Sequence, residues 1–312
     1  MLKTILCELL SIRCPILQGG MAWISDAGLA AAVSNGGGLG IISATNVDAA
    51  WVRGEIRRCK KATQNPFGVN IMLMSPFADE VARMVVEEEV PVVTTGAGNP
   101  GKYLDAWHAA GIKVLPVVAS VGLARLMARS GVAALIAEGS ESGGHIGETS
   151  TMALIPQVCD AVDIPVVAAG GIADGRGLAA AMMLGAVGAQ MGTRFLVASE
   201  CGVHEVYKEK VLAARDTGTI TTGKRLGHPV RSLKNAFSRG YFKKEYDGAI
   251  ADEELEALGS GALVRAAIEG DARGGCFLAG QISGLVTKRQ NAAEIVREVC
   301  DEAEALLKGA NV

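Results

Sequence analysis

Eight short apolar runs, each closed by glycine or a polar turn, recur along the first two thirds of the chain. They are Pro15-Ile16-Leu17-Gln18, Gly38-Leu39-Gly40-Ile41-Ile42, Phe67-Gly68-Val69-Asn70-Ile71 and Pro91-Val92-Val93-Thr94-Thr95. Then follow Val114-Leu115-Pro116-Val117-Val118, Ala134-Leu135-Ile136-Ala137, Pro165-Val166-Val167-Ala168-Ala169 and Val187-Gly188-Ala189-Gln190-Met191. Hydrophobicity that is continuous rather than alternating marks strands buried on both faces, as in parallel sheets. Helical spacing lies between them: Asp26 to Ser34 behind Ser25 as cap, Ala78 to Glu88, Lys102 to Ala110, Val121 to Arg129 and Gly177 to Leu184. Gly111, Gly131 and Gly185 stand where a glycine ends a helix. The pattern predicts an α/β fold, a (β/α)8 TIM barrel; a doubly wound open sheet is the alternative, but eight units within about 190 residues fit closure better.

After Arg194-Phe195 the rhythm stops. Residues 199–276 carry more charge and no further βα repeat, so they read as a small, mostly helical inserted domain. Residues 1–198 and 277–312 form the barrel in this reading. Asn291 to Lys308 is an amphipathic helix, with Ile295, Val296, Val299, Ala303 and Leu306 expected to pack on the barrel.

Composition narrows the function. A net charge of −3 argues against a nucleic-acid partner. Seven cysteines form no C-x-x-C pair and no metal-ligand spacing, which reads as reduced thiols in the cytoplasm. No apolar run reaches the roughly 18–20 residues of a membrane span, and the start lacks a secretory h-region. Forty glycines are far above the usual share of about 7%. They cluster behind the apolar runs, where tight turns and close cofactor approach need them.

Barrel active sites lie at the C-terminal ends of the strands, so the residues just after each run are the candidates. Gly19-Gly20-Met21-Ala22 is either a tight turn or a surface for a flat ligand. Asn70 is either a loop cap or an amide that orients a heterocycle. Glu138 through Gly147 sets one of only four histidines, His145, in a glycine-rich loop. That imidazole is either solvent-exposed or an acid–base group near neutral pH. Gly170-Gly171 and Gln190-Met191-Gly192-Thr193 follow the last two runs, where such barrels commonly grip phosphate through backbone amides. No Rossmann fingerprint or Walker motif is present, so the phosphate belongs to a barrel-bound cofactor. The basic row Gly227-His228-Pro229-Val230-Arg231-Ser232-Leu233-Lys234-Asn235 is either a clamp for a nucleotide or acidic carrier, or a solvated helix face.

Taken in order, these motifs resemble one family. Pro15 to Trp23, Pro66 to Met72, Val93 to Pro100, Ala137 to Gly147, Ala168 to Gly175 and Gln190 to Phe195 are similar to the flavin-dependent enoyl-acyl carrier protein reductases, within the wider nitronate monooxygenase and 2-nitropropane dioxygenase group. Met72 to Phe77, Gly227 to Arg231 and Gly280 to Val286 favour the reductase branch. The turn Ser43-Ala44-Thr45-Asn46 departs from that branch, which has glycines there. The resemblance implies FMN across the strand ends, held by Gly20, Met21, Ala22, Asn46, Asn70, Glu138, Ala169, Gly170, Gly171, Gln190, Met191, Gly192 and Thr193. It implies His145 as the catalytic residue, NADH or NADPH as hydride donor, and an enoyl thioester on acyl carrier protein or CoA as substrate. A monovalent cation and a homodimer come with the resemblance; no ligand set in the sequence fixes the cation. The second reading is oxidation of nitronates with FMN and oxygen, and a third is a flavin-binding barrel without catalysis.

Overall fold

The computed structural model describes residues 2–309. Nine strands precede residue 199: β1 (Ile16–Gln18), β2 (Gly40–Ser43), β3 (Phe67–Met72), β4 (Val92–Gly96), β5 (Lys113–Val118), β6 (Leu135–Glu138), β7 (Gly144–His145), β8 (Val166–Ala169) and β9 (Gly188–Met191). All but β7 pair in parallel, in the order β1-β9-β8-β6-β5-β4-β3-β2. A parallel bridge between Leu17 and Leu39 joins β1 to β2 and closes the barrel. Gln18 helps at that seam, where pairing is shortest: its Oε1 accepts from Ile41 N at 3.1 Å, and its Nε2 donates to Ser25 Oγ at 2.9 Å.

Alternation divides each strand between two cores. Outward residues such as Ile42, Val69, Val93, Val114 and Ala168 pack beneath the surrounding helices. Inward residues, among them Leu17, Ile41, Val92, Leu115, Ile136 and Val167, fill the barrel, with Leu6 and Leu10 of the helix Ile5–Leu10 in the same cluster. Both sides being apolar is why the runs are continuous. Two residues further along, the same inward rows reach Gly19, Asn70, Val117, Glu138, Ala169 and Gln190, which line a cavity. Asn70, Glu138 and Gln190 thus set polar groups above the apolar inward rows, at the floor of the site.

The helices follow the expected segments with local corrections. Asp26, not Ser25, caps Ala27–Gly36 by accepting from Leu29 N; the Ser25 hydroxyl instead accepts from Met21 N at 2.9 Å. A charged helix, Ala49–Ala62, lies where the apolar pattern was weak. Gly111, Gly131 and Gly185 have φ of 73°, 81° and 101°, as C-terminal stops require. The helix Ala292–Gly309 buries Ile295, Val296, Val299 and Ala303, but Leu306 is exposed and Leu307 packs on the core instead. It approaches closely because two glycines admit it: a Cβ on Gly36 would lie 2.7 Å from Ala293 Cα, and one on Gly175 would lie 2.5 Å from Ala303 N.

Within residues 199–276 lie four helices, Glu205–Leu212, Ala236–Glu245, Asp252–Gly259 and Ala262–Ala267, and two strands, β10 (Thr219–Thr222) and β11 (Val230–Leu233). The strands form a hairpin that adds antiparallel to β7, opposing Val230 to His145 and Arg231 to Gly144. The basic row is thus not a helix face. Its centre is strand β11, with Arg231 buried.

Candidate active site

A cavity of about 710 Å³ opens at the C-terminal ends of the barrel strands, within the range of about 300–1,000 Å³ typical of small-molecule sites. Twelve of the thirteen residues expected to hold a cofactor line it, together with His145. Asn46 does not; its backbone is left-handed at φ 55° and its neighbour Thr45 faces the cavity. The exception falls in the one turn that departs from the reductase pattern.

The two ends of the cavity differ chemically. At the β8–β9 end, Gly170 and Gly171 have φ of 86° and 73°. A Cβ on Gly170 would lie 2.8 Å from Gly139 O, so that turn can close only with glycine. Thr193 Oγ1 accepts from Gly280 N at 2.9 Å, which leaves the hydroxyl proton as a donor. Opposite, around β3 to β5, the walls are Met72, Met74, Val117, Ala119 and Leu123. A phosphate suits the first end and an apolar group the second.

Asn70 sits between them. It pairs with Thr94 across β3 and β4, and Thr94 Oγ1 donates to Asn70 Oδ1 at 2.9 Å. Gly20 lies against the same amide; a Cβ there would come 2.4 Å from Asn70 Cβ. By contrast, a Cβ on Gly96 would meet nothing within 4 Å, and one on Gly192 nothing nearer than Met21 Sδ at 3.6 Å. Their missing side chains keep space free inside the cavity. A planar, phosphorylated heterocycle fits this cradle.

Four ionisable groups, Glu138, Glu141, His145 and His228, line the same space. Glu138 ends its inward row with Ser142 Oγ as a hydrogen-bond donor at 3.0 Å, and burial pushes its carboxyl up to about 7. His145 is held below the ordinary imidazole value, first by the protein surrounding it and then by His228. His228 comes from the β10–β11 hairpin, whose tip closes with His228 N donating to Gly223 O at 3.0 Å. The sequence reading placed His228 in a basic row but not in the site. Only the pairing of β11 with β7, distant in sequence, brings it there. The Glu141 carboxylate accepts from Thr151 N at 2.8 Å and Thr151 Oγ1 at 2.9 Å, anchoring the loop. Among the described residues, no three His, Cys, Asp or Glu side chains are placed to hold a metal ion.

The barrel, the glycine-rich strand ends and the histidine loop surround one cavity, and the family and relatives that follow make the chain a flavin-dependent oxidoreductase. The chain belongs to the nitronate monooxygenase family, whose sequence model matches residues 3–84 and 74–302. The structure of FabK from Thermotoga maritima superposes with a TM-score of 0.96 at 47% identity, covering 99% of this chain and 98% of that one. A (3aS,4S,5R,7aS)-5-hydroxy-7a-methyl-1-oxo-octahydro-1H-indene-4-carboxyl-CoA dehydrogenase of Rhodococcus jostii is 39% identical over 232 residues. That match covers 74% of this chain and 66% of the relative, just under two thirds of its length. A probable nitronate monooxygenase of Staphylococcus saprophyticus is 32% identical, with 98% of this chain and 99% of the relative covered. No helix among the described residues is long and apolar enough to cross a membrane.

Proposed function

We propose that the chain is an FMN-dependent enoyl-thioester reductase that uses NADH or NADPH in fatty acid synthesis. The observation that carries this reading is the end-to-end likeness to FabK, which includes the segment that lays β11 beside the His145 loop. The carboxyl-CoA dehydrogenase among the relatives supports an acyl thioester as the substrate class.

The chemistry FMN supplies when bound is two-electron transfer, from reduced nicotinamide to Cβ of a 2-enoyl thioester. Thr193 Oγ1 and the backbone at Gly170, Gly171 and Gly192 would hold its phosphate, and Asn70, Gly20, Met21 and Ala22 would hold its ring. The His145 imidazole holds the proton that goes to Cα, balancing the hydride at Cβ. Met72, Met74 and Leu123 exclude water beside the acyl chain. On the resemblance, residues 199–276 form a separate small domain that flanks the nicotinamide and substrate cleft, and the enzyme is a cytoplasmic homodimer responsive to a monovalent cation.

The test is direct. Purified protein should be yellow, release FMN on denaturation, and oxidise NADH or NADPH only when an enoyl thioester on CoA or acyl carrier protein is added. A colourless protein that cannot be reconstituted with FMN overturns the reading. The second reading, nitronate oxidation, draws on the staphylococcal relative and uses His145 as base rather than acid.

A further inference from the structure

Arg231 is a buried cation with no carboxylate bonded to it among the described residues. Its Nε and Nη2 both donate to Ser140 O, at 3.1 and 2.9 Å, and its Nη1 donates to Thr219 Oγ1 at 3.3 Å. A buried guanidinium facing a carbonyl is a costly arrangement that needs a compensating reason. Ser140 stands in the loop that carries His145, and Arg231 itself pairs with Gly144 across β11 and β7. Ile146 N donates to Pro229 O at 3.0 Å, extending the same seam. From the other side the loop is pressed by the chain near Ala279: a Cβ on Gly143 would lie 2.7 Å from Ala279 Cα. The loop is clamped between two segments, and Arg231 makes the side-chain half of the clamp.

We propose that Arg231 is a positioning residue for His145, fixing the catalytic loop to the hairpin through the Ser140 carbonyl. The proposal rests on His145 being the proton source. It assigns the basic row a task inside the protein rather than toward a nucleotide or carrier. It also explains why arginine stands there: two parallel donors on one carbonyl fix direction, which a lysine ammonium does not. The ionisable groups lining the same cavity as His145 are Glu138, Glu141 and His228.

The experiment uses the FMN-loaded protein with Arg231→Ala and Arg231→Lys. Arg231→Ala should keep FMN, because the phosphate grip lies on β8 and β9, and lose about a hundredfold in kcat, as small displacements of catalytic groups do. Millimolar guanidinium chloride should restore part of that loss, while tetramethylammonium chloride should not. Arg231→Lys should recover little. The His145 imidazole, followed by NMR without substrate, should titrate closer to an ordinary histidine in Arg231→Ala. Unchanged kcat and unchanged titration overturn the proposal, as does a loss that guanidinium cannot restore and that follows FMN content. Wild-type protein inactive on enoyl thioesters, with the titration still displaced, defeats the reductase reading and leaves the clamp standing.

Discussion

Thr94 Oγ1 donates to Asn70 Oδ1 at 2.9 Å across neighbouring strands, which commits the amide oxygen and leaves the amide nitrogen as the donor toward the cavity. A side chain that never enters the cavity therefore decides which end of Asn70 does. Thr94→Val should weaken FMN binding by about 0.5–1.5 kcal/mol, the worth of one such bond. Fluorescence titration of flavin-free protein measures it. Unchanged affinity would mean that Asn70 needs no such orientation.

Gly20 and Asn70 compete for one space. Gly20→Ala should cost about 1–3 kcal/mol, the usual range for overpacking, because the new Cβ would lie 2.4 Å from Asn70 Cβ. Gly20→Ala combined with Asn70→Gly should recover most of that cost in urea unfolding, measured against Asn70→Gly alone, since Asn70 Cβ and the clash with it are then gone. An equal penalty in both backgrounds would place the strain elsewhere.

Glu138 makes stability pH-dependent. Its folded value of about 7 lies above the ordinary glutamate range of about 4.3. The folded state thus holds the proton more tightly than the unfolded chain. The resulting stabilisation is complete below about pH 4.3 and is lost as pH rises through about 7. Glu138→Gln, which cannot ionise, should exceed wild type by clearly more at pH 8 than at pH 5, where only a small part of the loss has set in. The gain is on the order of 1–3 kcal/mol, reduced from the full shift because the cavity admits water to the carboxyl. Thermal unfolding of flavin-free protein at the two pH values decides it; a gain at pH 5 equal to that at pH 8 would contradict the ionisation.

His228 shifts His145. His145 is exposed at the cavity mouth, yet the protein around its ring and the neighbouring imidazole both hold its proton loosely. If His145 donates a proton, kcat/KM should fall as pH rises through its value, below the usual ~6.5. His228→Ala removes one of the two causes, so that limb should move to higher pH with FMN content unchanged. A limb that stays fixed separates the two histidines.

The strands were legible because burial on both faces leaves no alternation to misread, and all eight barrel runs lie where strands form. The lining of the cavity was legible for a related reason. Strand-end residues inherit their direction from the row beneath them, so Glu138 follows Ile136 and Asn70 follows Gly68 into the barrel. What escaped was non-local. Arg231 and Ser140 are 91 residues apart, and no local pattern announces that β11 will pair with β7. The helix Ala49–Ala62 escaped through its charge. Asn46 was carried over from the family onto a turn whose sequence departs from it, and the cavity there is lined by Thr45 instead.

The most direct measurement is anaerobic. The FMN-loaded protein is reduced with NADH or NADPH, then mixed with crotonyl thioester, and the flavin absorbance is followed. Prompt return of the oxidised spectrum with one equivalent of saturated thioester is the predicted result, and His145→Ala should keep FMN yet lose that return. No return with thioester, alongside rapid turnover of a nitronate once oxygen is admitted, would contradict the account.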